Sequence, residues 1–310
     1  NMKKIIFSLV VLILGLALAS CETTDDYSKG YVDIIMPTGT PSLALSEFVV
    51  GNELVDAEVV AGSDPLVAAF TSGSHEIIVA PVNLGAKMYQ VNQEYVLYKT
   101  FVWGNLYIAS KSELNSFKDL NGKTVVAFGK NSTPDIVMQA LLKHHSDINV
   151  KVEYVADVSE ANTLLAGGKA EIVVTAEPAI SKLKSKFNLS IIDLQEEWAT
   201  MTGNSSYPQA GIFVKKSVAN EKFIQDRLVE MKNSIINANA NPLACAEKAV
   251  QLHSSFEALG KEVLVSAIPN CHYQILESDK EAVNYYLQMM IELGFSKQMG
   301  EKLPVDEFYY

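Results

Sequence analysis

The sequence predicts an α/β protein of two similar, Rossmann-like lobes joined by two crossover strands, with a cleft between them. Three observations support this. Strand-like runs alternate with helix-like ones along most of the chain, and alternating βα units imply parallel strands with helices packed on their faces. Sliding the sequence by 95 positions aligns Val55–Met88 with Val150–Leu183 without a gap, and nine of the 34 positions are identical, among them Val60/Val155, Gly73/Gly168, Ile77/Ile172 and Lys87/Lys182. Any two βαβ segments share glycines and aliphatics, but a sustained register favours a shared lobe design. Without its first 20 residues the chain keeps 290, more than one hydrophobic core usually serves.

The first element is a leader. Lys3 and Lys4 precede an apolar run, Ile5 to Leu18, and Leu18-Ala19-Ser20-Cys21 closes it. Residues 1–20 therefore read as a signal peptide, too short and wrongly flanked for a spanning helix. Cys21 stands where a lipidated cysteine would become the new N-terminus; the alternative is a plain signal peptide with a chance cysteine. Residues 21–30 are polar and rich in structure breakers, as a tether should be. The formal net charge is −11, and −13 once the leader and its two lysines are removed. So acidic a chain is not expected to bind nucleic acid, which needs basic patches for its phosphates. Cys245 and Cys271 would remain, as a disulfide or as two buried thiols.

The first lobe is expected to comprise residues 30–111 and 208–310, the second 112–207. Strands of the first are "YVDIIM", "DAEVVAG" and "HEIIVAP"; those of the second are "TVVAFG", "VKVEYVA" and "AEIVVTA". Between them lie helical patterns such as "PDIVMQALLKHH", where Ile136, Val137, Ala140, Leu141 and His144 share a face. "YPQAGIFVKK", Tyr207 to Lys216, is strand-like and would carry the chain back. Two amphipathic helices follow, with stripes Ile224, Leu228, Met231, Ile235 and Val283, Tyr286, Leu287, Met290. Both are expected to finish the first lobe. Two crossovers flanking a cleft suit hinge closure around a ligand.

In open α/β sheets ligands bind beyond the carboxyl ends of the strands, at helix N-termini. Those positions are Thr38, Gly39, Thr40, Ser42 and Asn83 in the first lobe, and Ser132, Thr133 and Glu177 in the second. Thr40-Pro41 and Thr133-Pro134 also fit a simpler role, an N-cap followed by proline at the first helical position. Glu177 at a helix start is favoured by the helix dipole; facing a cleft, it would favour a cationic or hydrogen-donating ligand. Trp103 and Asn105 precede the first crossover, where an indole could stack on a planar ligand or merely pack the hinge. Tyr207, near the second crossover, is a further candidate, as is Trp198, for which core packing is the plainer role. No Walker, GxGxxG, GxSxG or HExxH motif occurs, so no catalytic residue, cofactor or metal is expected.

Read together, "MPTGTPSLAL", "VAPVNLGAKMY", "WGNLYI", "FKDLNGKTVVAFGKNSTPDIV", "TAEPAISK", "DLQEEW", "YPQAGIFV", "IPNCHY" and "KLPVDEFYY" resemble, in their order along the chain, the lipid-anchored substrate-binding proteins of ABC importers. The resemblance is to the nitrate/sulfonate/taurine group, whose superfamily includes binders of thiamine precursors. It implies a type II periplasmic-binding-protein fold and a monomeric receptor outside the cytoplasmic membrane, held there by its lipid alone. It also implies delivery of a small molecule to a permease and its ATPase on separate chains. Cleft residues implied are Thr38 to Ser42, Asn83, Trp103, Asn105, Ser132, Thr133 and Glu177. One departure stands out: the only arginine is Arg227, on a helix of the first lobe, so nothing but Lys130 beside Asn131 would clamp a sulfonate or nitrate. Two other functions fit the same fold: an enzyme acting on a thiamine- or menaquinone-pathway intermediate, and a surface lipoprotein with a partner-binding role.

Overall fold

The computed structural model describes residues 30–204 and 206–310. The expected signal peptide and lipidation at Cys21, with all of the tether but Gly30, lie outside the described residues. Two five-stranded sheets form the framework. The first contains β1 (Val32–Pro37), β2 (Val55–Val60), β3 (Ile77–Pro81) and β4 (Tyr95–Val102). The second contains β5 (Leu106–Ser110), β6 (Thr124–Phe128), β7 (Lys151–Val155), β8 (Ile172–Ala176) and β9 (Ser190–Asp193). The tenth strand, β10 (Ala210–Lys215), returns to the first sheet.

The orders are β2-β1-β3-β10-β4 and β7-β6-β8-β5-β9. In each sheet the first three strands are parallel, and a strand arriving from the other lobe runs antiparallel between the third and the fifth. The two topologies are the same, and β3 and β8 sit 95 residues apart at both ends. Central strands such as β3 and β8 are buried almost throughout, as both their faces carry helices. The edge strands alternate instead: Asp56 and Glu58 of β2, like Lys151 and Glu153 of β7, point outward. Outward charges on an edge also discourage pairing with another chain.

Two expectations need correction. β5 belongs to the second sheet, so the sheets part at residues 103–105 and not after 111. Leu106 to Ser110 is buried on both faces, which a short connector would not be. The last long helix, Lys280–Glu292, does not simply complete the first lobe. Its buried Tyr286 meets Trp198, on the helix Leu194–Thr202 of the second lobe, with ring centroids 6.0 Å apart. Amphipathicity shows which face of a helix is buried, not against what. The tail then returns: Phe308 packs on Tyr89 at 5.2 Å and Tyr309 bridges Leu97. The lobes are thus tied by the C-terminal segment as well as by two crossovers. Cys245 and Cys271 are both free and buried, and burial pushes the Cys245 thiol up to about 12. Among the described residues, no helix is long and apolar enough to cross a membrane.

Candidate functional site

A cleft of about 650 Å³ lies at the carboxyl ends of the parallel strands, lined from both lobes. Thr38, Gly39, Thr40, Asn83, Asn105, Ser132, Thr133 and Glu177 line it together. A wider hollow of about 870 Å³ on the outer face of the first lobe lies away from the strand ends. Two pairs cross it, Asn52 with Glu230 at 3.0 Å and Asn237 with Glu47 at 2.6 Å.

Besides Trp198, which is buried in the core, three expected residues are not in the wall of the cleft. Trp103 is buried in the hinge, and its Nε1 donates to the Gln274 carbonyl at 3.0 Å. Tyr207 is fully buried, donating to the Gln195 side chain and packing on Trp198 with centroids 5.3 Å apart. Ser42 is buried behind the first turn, and its hydroxyl donates to Gly39 O at 3.2 Å. In each case an internal partner claims the polar atom that a ligand would need.

The cap roles are also reassigned. Gly39 and Ser132 are the N-cap residues of the helices Thr40–Ala44 and Thr133–His144, and no side chain caps either helix. Gly39 adopts φ 104°, which a side chain would resist. Thr40 and Thr133 are first helical residues, with Pro41 and Pro134 second. Asp157, by contrast, caps its own helix by accepting from Glu160 N at 2.9 Å.

Thr40 is diverted into a tie between lobes. Its hydroxyl donates to the Glu177 carbonyl at 2.9 Å, and Asn105 Nδ2 donates both to that carbonyl at 3.1 Å and to Thr40 Oγ1. Behind this knot, Tyr273 donates to Thr40 O at 2.7 Å and Tyr107 to Asn270 O at 2.8 Å. Gly104, between Trp103 and Asn105, has φ +82°, and a Cβ there would meet Gln195 at 2.6 Å and Tyr207 at 2.8 Å. The first crossover therefore needs glycine at this point.

The shared topology accounts for the placement of Asn105 and Gln209. Each residue immediately precedes the strand arriving from the other lobe, β5 or β10. The Asn105 carbonyl accepts from Glu177 N at 3.0 Å; the Gln209 carbonyl accepts from Val82 N at 3.1 Å, and Val82 and Glu177 correspond at the 95-residue shift. Gln209 and Gln298 also line the cleft, although neither sits in a βα turn. For Gln209 the signal was available, because "YPQA" stands to β10 as "WGNL" stands to β5.

Glu177 lines the cleft, yet its carboxylate is committed to the seam. Oε1 accepts from Ser181 Oγ at 2.9 Å and from Asn270 Nδ2 at 3.3 Å, while Oε2 accepts from Ser181 N at 3.3 Å. Burial pushes its carboxyl up to about 7, against the opposing hydrogen bonds from Ser181. Lys87, exposed at the rim, is the cation in the lining.

The duplicated sheet order, the reversed fourth strands and a cleft between the lobes define a two-lobed protein of the type II periplasmic-binding-protein fold. The chain belongs to the menaquinone biosynthesis family, whose profile matches residues 82–292. Solved structures share the fold. An ABC transporter from Parabacteroides distasonis aligns with TM-score 0.76 at 21% identity, over 91% of this chain and 99% of that one. The periplasmic aliphatic sulphonate binding protein SsuA from Escherichia coli gives 0.71 at 12%, over 91% and 92%. The alkanesulfonate-binding protein SsuA from Xanthomonas axonopodis pv. citri, bound to MOPS, gives 0.63 at 13%, over 91% and 98%. No curated protein matches the chain.

Proposed function

We propose that the protein is an extracytoplasmic solute receptor, which binds a small metabolite between its lobes and hands it to an ABC importer. In this reading Cys21 carries the lipid that holds it at the outer face of the cytoplasmic membrane, and the receptor acts as a monomer. The permease and its ATPase are separate chains. The observation that carries the proposal is the cleft itself. It joins Thr38, Asn83 and Gln209 of one lobe to Ser132 and Thr133 of the other, at the hinge where the lobes part. Ligand pockets of such size at a topological switch point are typical small-molecule sites. The named binding function of the sulfonate-binding structures that share the fold supports the same reading.

The family match supports a second reading, an enzyme acting on an intermediate of menaquinone biosynthesis. Glu177, near neutrality at the cleft, is the group such chemistry would draw on. A thermal-shift screen of the full chain against small metabolites, followed by mass spectrometry of the bound compound, separates the two. A receptor gains about 2.7 kcal/mol at 100 times the dissociation constant and returns the compound unchanged. Conversion of the bound compound supports the enzyme, and absence of any shift rejects both.

A further inference from the structure

Gln195 opens the second turn-facing position of the helix Leu194–Thr202, is only 4% exposed, and makes four side-chain hydrogen bonds. Two of them replace a missing strand. β9 ends at Asp193, opposite Tyr107, so Leu106 at the start of β5 has no strand beside it on that edge. The Gln195 amide fills the place: Leu106 N donates to Oε1 at 2.9 Å, and Nε2 donates to Leu106 O at 3.0 Å. An antiparallel neighbour would offer the same pair of bonds. Nε2 also donates to the Asp193 carboxylate at 2.9 Å, which can only accept, so the orientation of the amide is fixed. The fourth bond comes from the Tyr207 hydroxyl, on the returning crossover. One side chain of the second lobe therefore fastens both crossovers.

The partners on either side show where each crossover changes lobe. Trp103 is held by the first lobe, its N donating to His272 O at 3.2 Å and its Nε1 to Gln274 O, while Gly104 O faces His272 Nδ1 at 2.9 Å. From Asn105 onward the backbone belongs to the second lobe, through Glu177 N and then Gln195. On the return, Tyr207 is held by Gln195, whereas Gln209 N donates to Val102 O at 2.9 Å and Gln209 O accepts from Val82 N, both in the first lobe. Ser206 Oγ donates to Trp103 O at 2.5 Å and keeps the two crossovers side by side. The changes of lobe thus fall at Gly104–Asn105 and at Pro208.

We infer that Gln195 is a positioning residue that makes the ends of both crossovers part of the second lobe, and so confines their bending to Gly104–Asn105 and Pro208 when the lobes move. Hinges of this kind are a few residues that absorb the backbone change. The assignment holds for a receptor and for an enzyme alike, since either would use movement of the lobes about the cleft.

The test uses the unliganded full chain with Cys21→Ser, Val91→Cys and Ser146→Cys, and spin labels on the two new thiols, one in each lobe. Both sites are exposed, and Cys245 and Cys271 are buried. Pulsed dipolar spectroscopy reads the distribution of interlobe distances, and hydrogen exchange reads the protection of Leu106 N–H. Gln195→Leu should speed exchange at Leu106 roughly tenfold or more and broaden the distance distribution. Leu165→Ala is the control, a buried site in a core cluster separate from Trp198 and Tyr207; it should lower the melting temperature without broadening. Faster exchange at Leu106 with an unchanged distribution would make Gln195 a local fastener only, and the inference falls. Equal broadening in Leu165→Ala would trace the effect to general loosening of the lobe and overturns it too. Where Gln195→Leu fails to fold, Gln195→Glu keeps the acceptor for Leu106 N and Tyr207 but sets oxygen against Leu106 O, and it is read against the same control in the same two ways.

Discussion

The two turns that face each other across the cleft, residues 37–41 and 128–134, occupy the same place in the same topology yet do different work. The first is bolted down. Thr40 is 2% exposed, its hydroxyl reaches the other lobe, and its carbonyl accepts from Tyr273. The second bonds mostly within itself: Ser132 donates to Gly129 O at 2.6 Å and Asn131 N to Asp135 at 2.8 Å. Ser132 and Asn131 remain exposed. Duplicated architecture thus supplies one fixed floor and one free jaw, and the partners of each turn decide which is which.

The largest test removes the support beneath the free jaw. Thr133 Oγ1 accepts from Tyr286 at 3.5 Å, and Tyr286 rests on Trp198. Trp198→Ala should cost about 3–5 kcal/mol, the usual price of emptying a large core site, read from the denaturant midpoint. A loss below about 1 kcal/mol would show that the C-terminal helix does not depend on this aromatic stack.

The next effect concerns the seam beside the fixed floor. The carboxyl of Glu177 is raised from 4.5 to about 7 by burial. A folded-state value above the unfolded one gives stability that is complete below pH 4.5 and is lost as the pH rises through 7. Glu177→Gln stays neutral and should remove that slope, leaving the variant more stable than the parent above neutrality by on the order of 3 kcal/mol. Melting temperatures of both proteins between pH 4 and 9 check this. Parallel curves would mean that the charged carboxylate is well accommodated at the seam.

Much of this was legible in the sequence, for identifiable reasons. Strand positions follow from runs such as "EIIVA" and "EIVVT", and the gapless shift carries them from one lobe to the other. The cleft residues follow from a rule of geometry, that βα turns gather at the carboxyl ends of parallel strands. What failed was partner choice. Trp103 and Tyr207 are near the cleft in sequence, but Gln274 and Gln195 claim their polar atoms. Gln298, 215 residues from Asn83, is brought to the cleft by a tail that no local pattern places. Thr40 and Thr133 look alike as letters, and only contacts over 137 and 153 residues tell them apart.

That last distinction can be tested by one conservative change made twice. Thr→Val keeps the shape and removes the hydroxyl. At Thr40 the change deletes the donor to Glu177 O and the acceptor for Asn105 Nδ2, both buried, so it should cost about 1–3 kcal/mol. At Thr133 the hydroxyl has one long contact with Tyr286, and the same change should cost less than about 1 kcal/mol. Binding should show the reverse order per unit of stability lost. Thr40 is engaged by the protein, so Thr40→Val should act on a ligand mainly by loosening the hinge and should flatten the dependence of affinity on closure. Thr133 stands on the free jaw, so Thr133→Val should weaken ligand binding in a chain that melts almost where the parent does. Paired denaturant titrations and calorimetry measure both quantities. Equal stability losses at the two positions would erase the division into floor and jaw, because the interlobe bond of Thr40 would then contribute no more than an ordinary turn contact.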